Sequence, residues 1–206
     1  MSMKLGLFSW YGYKAPLEYR LNRIRQAGFE ATMLWRGAPE SVDSPYNEEV
    51  RTNAKGLCLS IENMHLPFDR ANDLWSETTN VREQYALSLA EEILNCKEYG
   101  IPMIVMHISE GDLIEKTTTK GIDAMLRVVD CATSNGVTIA VENTQRIDLI
   151  EALLENIKSD YFGLCFSSWP SNSRKERWPV VEKSDLKLGL EFLHKSKLKP
   201  LAGHYS

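Results

Sequence analysis

Met103-Ile104-Val105-Met106-His107 and Thr138-Ile139-Ala140-Val141-Glu142 decide the fold. Each is a short apolar run closed by one ionisable residue. Gly100 and Pro102 bound one run upstream, Asn135-Gly136 bound the other, and helical periodicity follows, so both read as strands buried on both faces of a parallel sheet. A third run, Leu57-Cys58-Leu59-Ser60-Ile61 with its extension, closes on His65 in the same way. A buried sheet tolerates an imidazole or a carboxylate only beside a partner, because losing its water is otherwise costly. Parallel strands carry their working residues at their carboxyl ends, so the three side chains are expected to meet. Two imidazoles and a carboxylate form an ordinary ligand set for a divalent metal. Glu142 is therefore the candidate catalytic residue and, with His65 and His107, a candidate metal ligand.

Six strand-then-helix units can be read in order. The strands are expected at Lys4–Trp10, Ala31–Trp35, Leu57–Met64, Met103–Ile108, Thr138–Asn143 and Tyr161–Phe166. Leu17, Leu21 and Ile24 mark a helix stopped by Gly28, and Ile122, Met125, Leu126 and Val129 mark one stopped by Asn135-Gly136. The longest helix is expected from Thr78 to Tyr99, with Leu87, Ala90 and Leu94 on one face. Asp148 and Glu151 predict a capping box before Leu149–Ile157. Strict alternation predicts an α/β fold with a parallel sheet and helices outside it. No glycine-rich phosphate loop follows the first strand, which argues against nucleotide-binding doubly wound folds. Trp10-Tyr11-Gly12-Tyr13 stands there instead. Trp35 and Phe68 follow the next two strands, and such rings suit the faces of a sugar or another hydroxylated ring.

The 206 residues, 43% hydrophobic, suffice for a full core. Cys58, Cys96, Cys131 and Cys165 form no Cys-x-x-Cys pair and read as reduced thiols of a cytoplasmic protein. No leader and no membrane span is expected. Net charge is −4, unevenly placed: from Ser171 onward there are eight Lys and Arg against four Asp and Glu, so the first 170 residues carry 16 basic and 24 acidic side chains. An acidic body is a poor partner for nucleic acid, whose binding rests on phosphate neutralisation.

Taken together, Lys4-Leu5-Gly6-Leu7, Gly28-Phe29-Glu30, His65-Leu66-Pro67-Phe68, His107, Val141-Glu142-Asn143-Thr144 and Gly163-Leu164-Cys165-Phe166 resemble the xylose isomerase-like barrel superfamily, which includes sugar isomerases and epimerases and endonuclease IV-like nucleases. The resemblance implies a (β/α) TIM-type barrel of eight strands, of which six units are recognisable here. Glu142 would match the strand-five glutamate that ligates metal, while His65 and His107 would match histidines that bind a second metal or line the sugar pocket. Trp10, Trp35, His65, Phe68, His107 and Asn143 are the implied substrate-binding residues. The implied cofactor is a divalent metal (Mn, Mg, Co or Zn), held weakly or not at all, and the implied partner is a sugar or sugar phosphate. The leading expectation is metal-assisted proton transfer on an aldose or ketose. Alternatives are metal-dependent phosphodiester cleavage and a non-catalytic remnant.

The resemblance breaks after Phe166. Where the family continues with a metal-binding Asp-x-Gly-His, this chain reads Ser167-Ser168-Trp169-Pro170. No later strand is expected, and neither His194 nor His204 is expected to supply the family's strand-seven histidine. Residues 1–166 thus read as a partial barrel and 167–206 as a divergent, basic, irregular tail. A one-base frame displacement would restore glycine across the Trp169-Pro170 codons; a naturally shortened chain covered by a Leu186, Leu190, Leu193 stripe is the alternative. Six strands leave two open edges, which predicts self-association.

Overall fold

The helical and extended periodicities separate cleanly in the computed structural model, which describes residues 4–10, 15–37, 46, 48–111, 113–142, 146–167 and 202–204. Strands β1 (Gly6–Phe8), β2 (Ala31–Trp35), β3 (Ser60–His65), β4 (Met103–Met106), β5 (Thr138–Glu142) and β6 (Phe162–Ser167) alternate with helices α1 (Leu17–Gln26), α2 (Glu48–Gly56), α3 (Thr79–Glu98), α4 (Thr119–Asn135) and α5 (Ile147–Asn156). All pairings are parallel and the strand order follows the sequence, β1 to β6 and then β7 (Ala202–His204). This is the α/β, barrel-type alternation that the sequence predicts.

Two apolar layers result from the period-2 alternation of each strand. One strand face joins the helices: Leu34, Met64, Ile104, Met106, Ile139, Val141 and Leu164 pack with Leu21, Ile24, Leu89, Ile93, Met125, Val128 and Leu153. The other face turns inward as a small separate cluster of Met33, Val105, Ala140 and Cys165, bordered by Phe8 and Met103. Helix α4 ends where the sequence says it should. Gly136 takes a left-handed conformation (φ 69°), and its N–H reaches the carbonyls of Ala132 and Thr133.

Four details differ from expectation. Strand β3 starts at Ser60 and not Leu57, because Leu57 belongs to the turn that ends α2 and Cys58 sits at φ 53°. Helix α3 buries Tyr85, Ala86, Leu89, Ile93 and Cys96, leaving Leu87 and Leu94 exposed. Leu87 lies about 200° around the helix from Leu89, so the leucine stripe marks the solvent side. The capping box does not form: α5 begins at Ile147, and Asp148 pairs with Arg146 at 2.6 Å. Finally, a strand follows β6 after all, with Cys165 opposite Ala202 and Ser167 opposite His204. The predicted Leu186 stripe and His194 lie outside the described residues. Among the described residues no helix is long and apolar enough to cross a membrane.

Candidate metal centre

Three consecutive strands deliver the three polar residues to one end of the sheet. His65 is the last residue of β3, Glu142 the last of β5, and His107 follows β4 directly. Their candidate ligand atoms all lie within 4.8 Å of one another. Glu142 Oε2 is 3.0 Å from His65 Nε2 and 2.9 Å from His107 Nε2. His65 Nδ1 lies 2.8 Å from the Leu66 carbonyl oxygen, which can only accept, so Nδ1 carries a proton. In the neutral ring Nε2 is then a bare lone pair facing a carboxylate oxygen. That contact is repulsive until a proton or a metal ion lies between the two atoms.

The electrostatics agree. Burial alone raises the pKa of the Glu142 carboxyl, but a hydrogen bond from His107, one from His65 when its Nε2 also carries a proton, and the charges of the protonated rings outweigh it and hold the group well below the usual carboxylate range. The side chains of His65, Glu142 and His107 are 9%, 18% and 20% exposed, so the cluster is shielded yet open to the mouth. The donor set fits a divalent ion. Ligand bonds of about 2.0–2.2 Å at right angles separate two donors by about 3 Å, the spacing found on both sides of Glu142 Oε2.

Aromatic rings wall one side of the cluster. Trp35 lies 5.1 Å from the His65 ring, Phe8 6.1 Å from it, and Phe68 stacks on His107 at 4.7 Å with planes 16° apart. The buried Arg20 guanidinium lies over the Trp10 ring at 5.5 Å. Asn143 lies outside the described residues. Below Glu142, in register on β6, Cys165 is fully buried, and burial with the nearby carboxylate pushes its thiol up to about 12. Arg146 ties two mouth loops together by donating to the Glu115 carbonyl and to Asp148. Phe8, Arg146 and Cys165 are not expected from the sequence as part of the site.

The xylose isomerase-like TIM barrel family profile matches residues 21–199. Similar solved structures include an L-ribulose 3-epimerase (TM-score 0.65, 19% identity, covering 80% of this chain and 60% of that one). A D-psicose 3-epimerase with D-tagatose from Clostridium cellulolyticum H10 (0.65, 14%, 81% and 64%) and a D-tagatose 3-epimerase-like protein (0.63, 18%, 80% and 64%) are also similar. The chain thus spans less than two thirds of the length of these structures, and the likeness establishes the fold. No curated protein matches the sequence.

Proposed function

The chain belongs to the xylose isomerase-like TIM barrel family, and from that premise we propose that its mouth binds a divalent metal and a ketose or aldose, for metal-assisted isomerisation or epimerisation. The observation that carries this reading is the convergence of two Nε2 atoms on one carboxylate oxygen, Glu142 Oε2, at 2.9 and 3.0 Å. Structural likeness to sugar 3-epimerases supports the substrate class.

His65, His107 and Glu142 would hold the ion, with Mn, Mg, Co and Zn as the candidates. Such a metal, when bound, polarises a neighbouring carbonyl and lowers the barrier to removing the adjacent carbon-bound proton. The protein's own contributions are separate from that. Leu66 fixes the His65 tautomer, the Trp35 and Phe68 faces suit the C–H face of a sugar, and the apolar lumen below keeps water from the reacting carbon. Glu142 is the group that takes the proton from carbon. Two imidazoles hold its charge so firmly that it is a weak base, and β6 ends in the neutral Ser167 where the family resemblance implies an aspartate. Turnover in this chain is therefore expected to be slow.

The reading extends to partners and setting. A sugar or sugar phosphate is the ligand and nucleic acid is not, since the first 170 residues are acidic. Four free thiols suit a reducing cytoplasm, and the outer edge of β1 is the surface through which the chain would self-associate.

Mn²⁺ titration calorimetry paired with deuterium uptake from D₂O into D-tagatose or D-psicose, followed by NMR, tests the proposal. The expected result is Mn²⁺ binding with slow exchange at one carbon. Metal binding with no exchange would leave a sugar-binding remnant, and no binding of Mn²⁺, Co²⁺ or Zn²⁺ overturns the proposal. Cleavage of abasic DNA would point to the nuclease branch instead.

A further inference from the structure

A second, partly buried polar cluster is built on α3 from residues outside the proposed metal centre. Its hub is Glu92. One carboxylate oxygen accepts a hydrogen bond from the Tyr46 hydroxyl at 2.5 Å, and the other lies 3.2 Å from Arg36 Nε. The Arg36 guanidinium covers the Tyr46 ring at 5.4 Å, Tyr46 packs on Tyr99 at 5.7 Å, and the Tyr46 hydroxyl reaches Cys96 Sγ at 3.5 Å. Arg36 and Tyr46 are the two residues flanking the β2–α2 connection. One carboxylate therefore pins both ends of the segment that leaves the mouth at β2.

The Arg36 end of this cluster touches the centre twice. The Arg36 backbone N–H donates to the His65 carbonyl at 2.9 Å. The residue after it, Gly37, is buried against the indole of Trp35 so closely that a β-carbon there would stand 2.1 Å from Trp35 Cζ2 and 2.4 Å from Cε2. Both distances are below any tolerable contact. No left-handed backbone accounts for the glycine, so its role is close approach to the ring. The indole, in turn, lies 5.1 Å from the His65 imidazole.

We propose that Glu92 and Gly37 are positioning residues of the metal centre: Glu92 draws Arg36 onto α3, the turn that follows lays the Gly37 backbone on the Trp35 indole, and the indole holds the His65 ring. The inference rests on the reading of His65 as a metal ligand. Groups that orient a ligand from behind change metal affinity typically by 10- to 100-fold without touching the metal.

The test uses the full chain and two readouts. His65 ring-proton shifts are recorded by ¹H–¹³C NMR in the metal-free protein and assigned with His65→Ala, and Mn²⁺ affinity is measured by calorimetry. Gly37→Ala should displace the His65 ring resonances more than those of His107, and weaken Mn²⁺ about tenfold. Glu92→Gln, which keeps the shape and removes the charge, should move both readouts in the same direction by less. In a Trp35→Leu background Gly37→Ala should have no further effect, because the indole is the link. Unmoved His65 resonances in both Gly37→Ala and Glu92→Gln, or full additivity with Trp35→Leu, overturn the proposal. If the unmodified chain binds no Mn²⁺, the metal reading fails by itself, while the ring shifts still decide the positioning.

Discussion

Glu142 and Glu92 each organise a buried polar cluster with a buried cysteine beside it, yet the two clusters are completed differently. Glu92 faces a permanent cation, Arg36, in an ion pair at 3.2 Å that lacks hydrogen-bond geometry, and a hydroxyl donor, Tyr46, so its charge is met by side chains that hold their protons. Burial, then the hydrogen bonds and charges of Cys96 and Glu92, push the Tyr46 hydroxyl far above its ordinary range, so it stays a donor. Glu142 faces two imidazoles, one of them with its proton committed elsewhere. The first cluster is closed and structural. The second is complete only with added protons or an added cation, and this is the physical difference between a buckle and a binding site.

Substitutions should separate the two. The largest effect is expected for Glu142→Gln, which keeps the size and removes the charge: Mn²⁺ affinity should fall at least about 100-fold, or about 2.7 kcal/mol, and the melting temperature at neutral pH should fall as well, because the charged carboxylate also contributes to stability. Calorimetry and thermal denaturation check both halves. Glu92→Ala should show the reverse emphasis, costing about 2 kcal/mol of folding stability, which is less than a fully buried pair because Arg36 is partly exposed. That corresponds to a melting-temperature loss of about 4–8 °C. A Glu92→Ala protein that melts like the parent would break the comparison.

Acidity sharpens it further. Because the Glu142 carboxyl is held well below the usual range, it stays charged through mild acid, and its contribution to stability, present above the unfolded carboxylate pKa, is lost only as pH falls through the much lower folded value. The melting temperature should therefore hold through mild acid as far as this carboxylate is concerned, and lose the Glu142 contribution only below the usual carboxylate range; thermal denaturation of the parent and of Glu142→Gln at several pH values checks this. The smallest effect concerns the thiols. Burial pushes both Cys96 and Cys165 up to about 12, and Cys58 is exposed, so a thiol reagent should label Cys58 first and the buried pair only on unfolding. Mass spectrometry of the modified peptides, with and without denaturant, can show this order.

Much of this was legible in the sequence. The runs ending in His65, His107 and Glu142 announce both the strands and the meeting point, because a buried strand admits ionisable groups only at its end. Helix α2 was not legible, since only Val50 and Ala54 are buried among polar neighbours. The leucines of α3 misled because a helix lying on a sheet presents a face set by its neighbours, and Tyr85, Ala86 and Cys96 supply that face as well as leucine does. Asp148 lost its capping role to Arg146, whose guanidinium offers a stronger partner than a backbone N–H. The Glu92 cluster could not be read at all. Its members lie at positions 36, 46, 92 and 96, and only the fold brings them together.

The strictly sequential strand order also has a consequence in time. His65, His107 and Glu142 depend only on the pairing of β3 with β4 and of β4 with β5. A chain emerging from the ribosome condenses from its N-terminal side. The three donors can thus be brought together before β6 and β7 have left the ribosome, so assembly of the centre does not have to wait for residues 162–206.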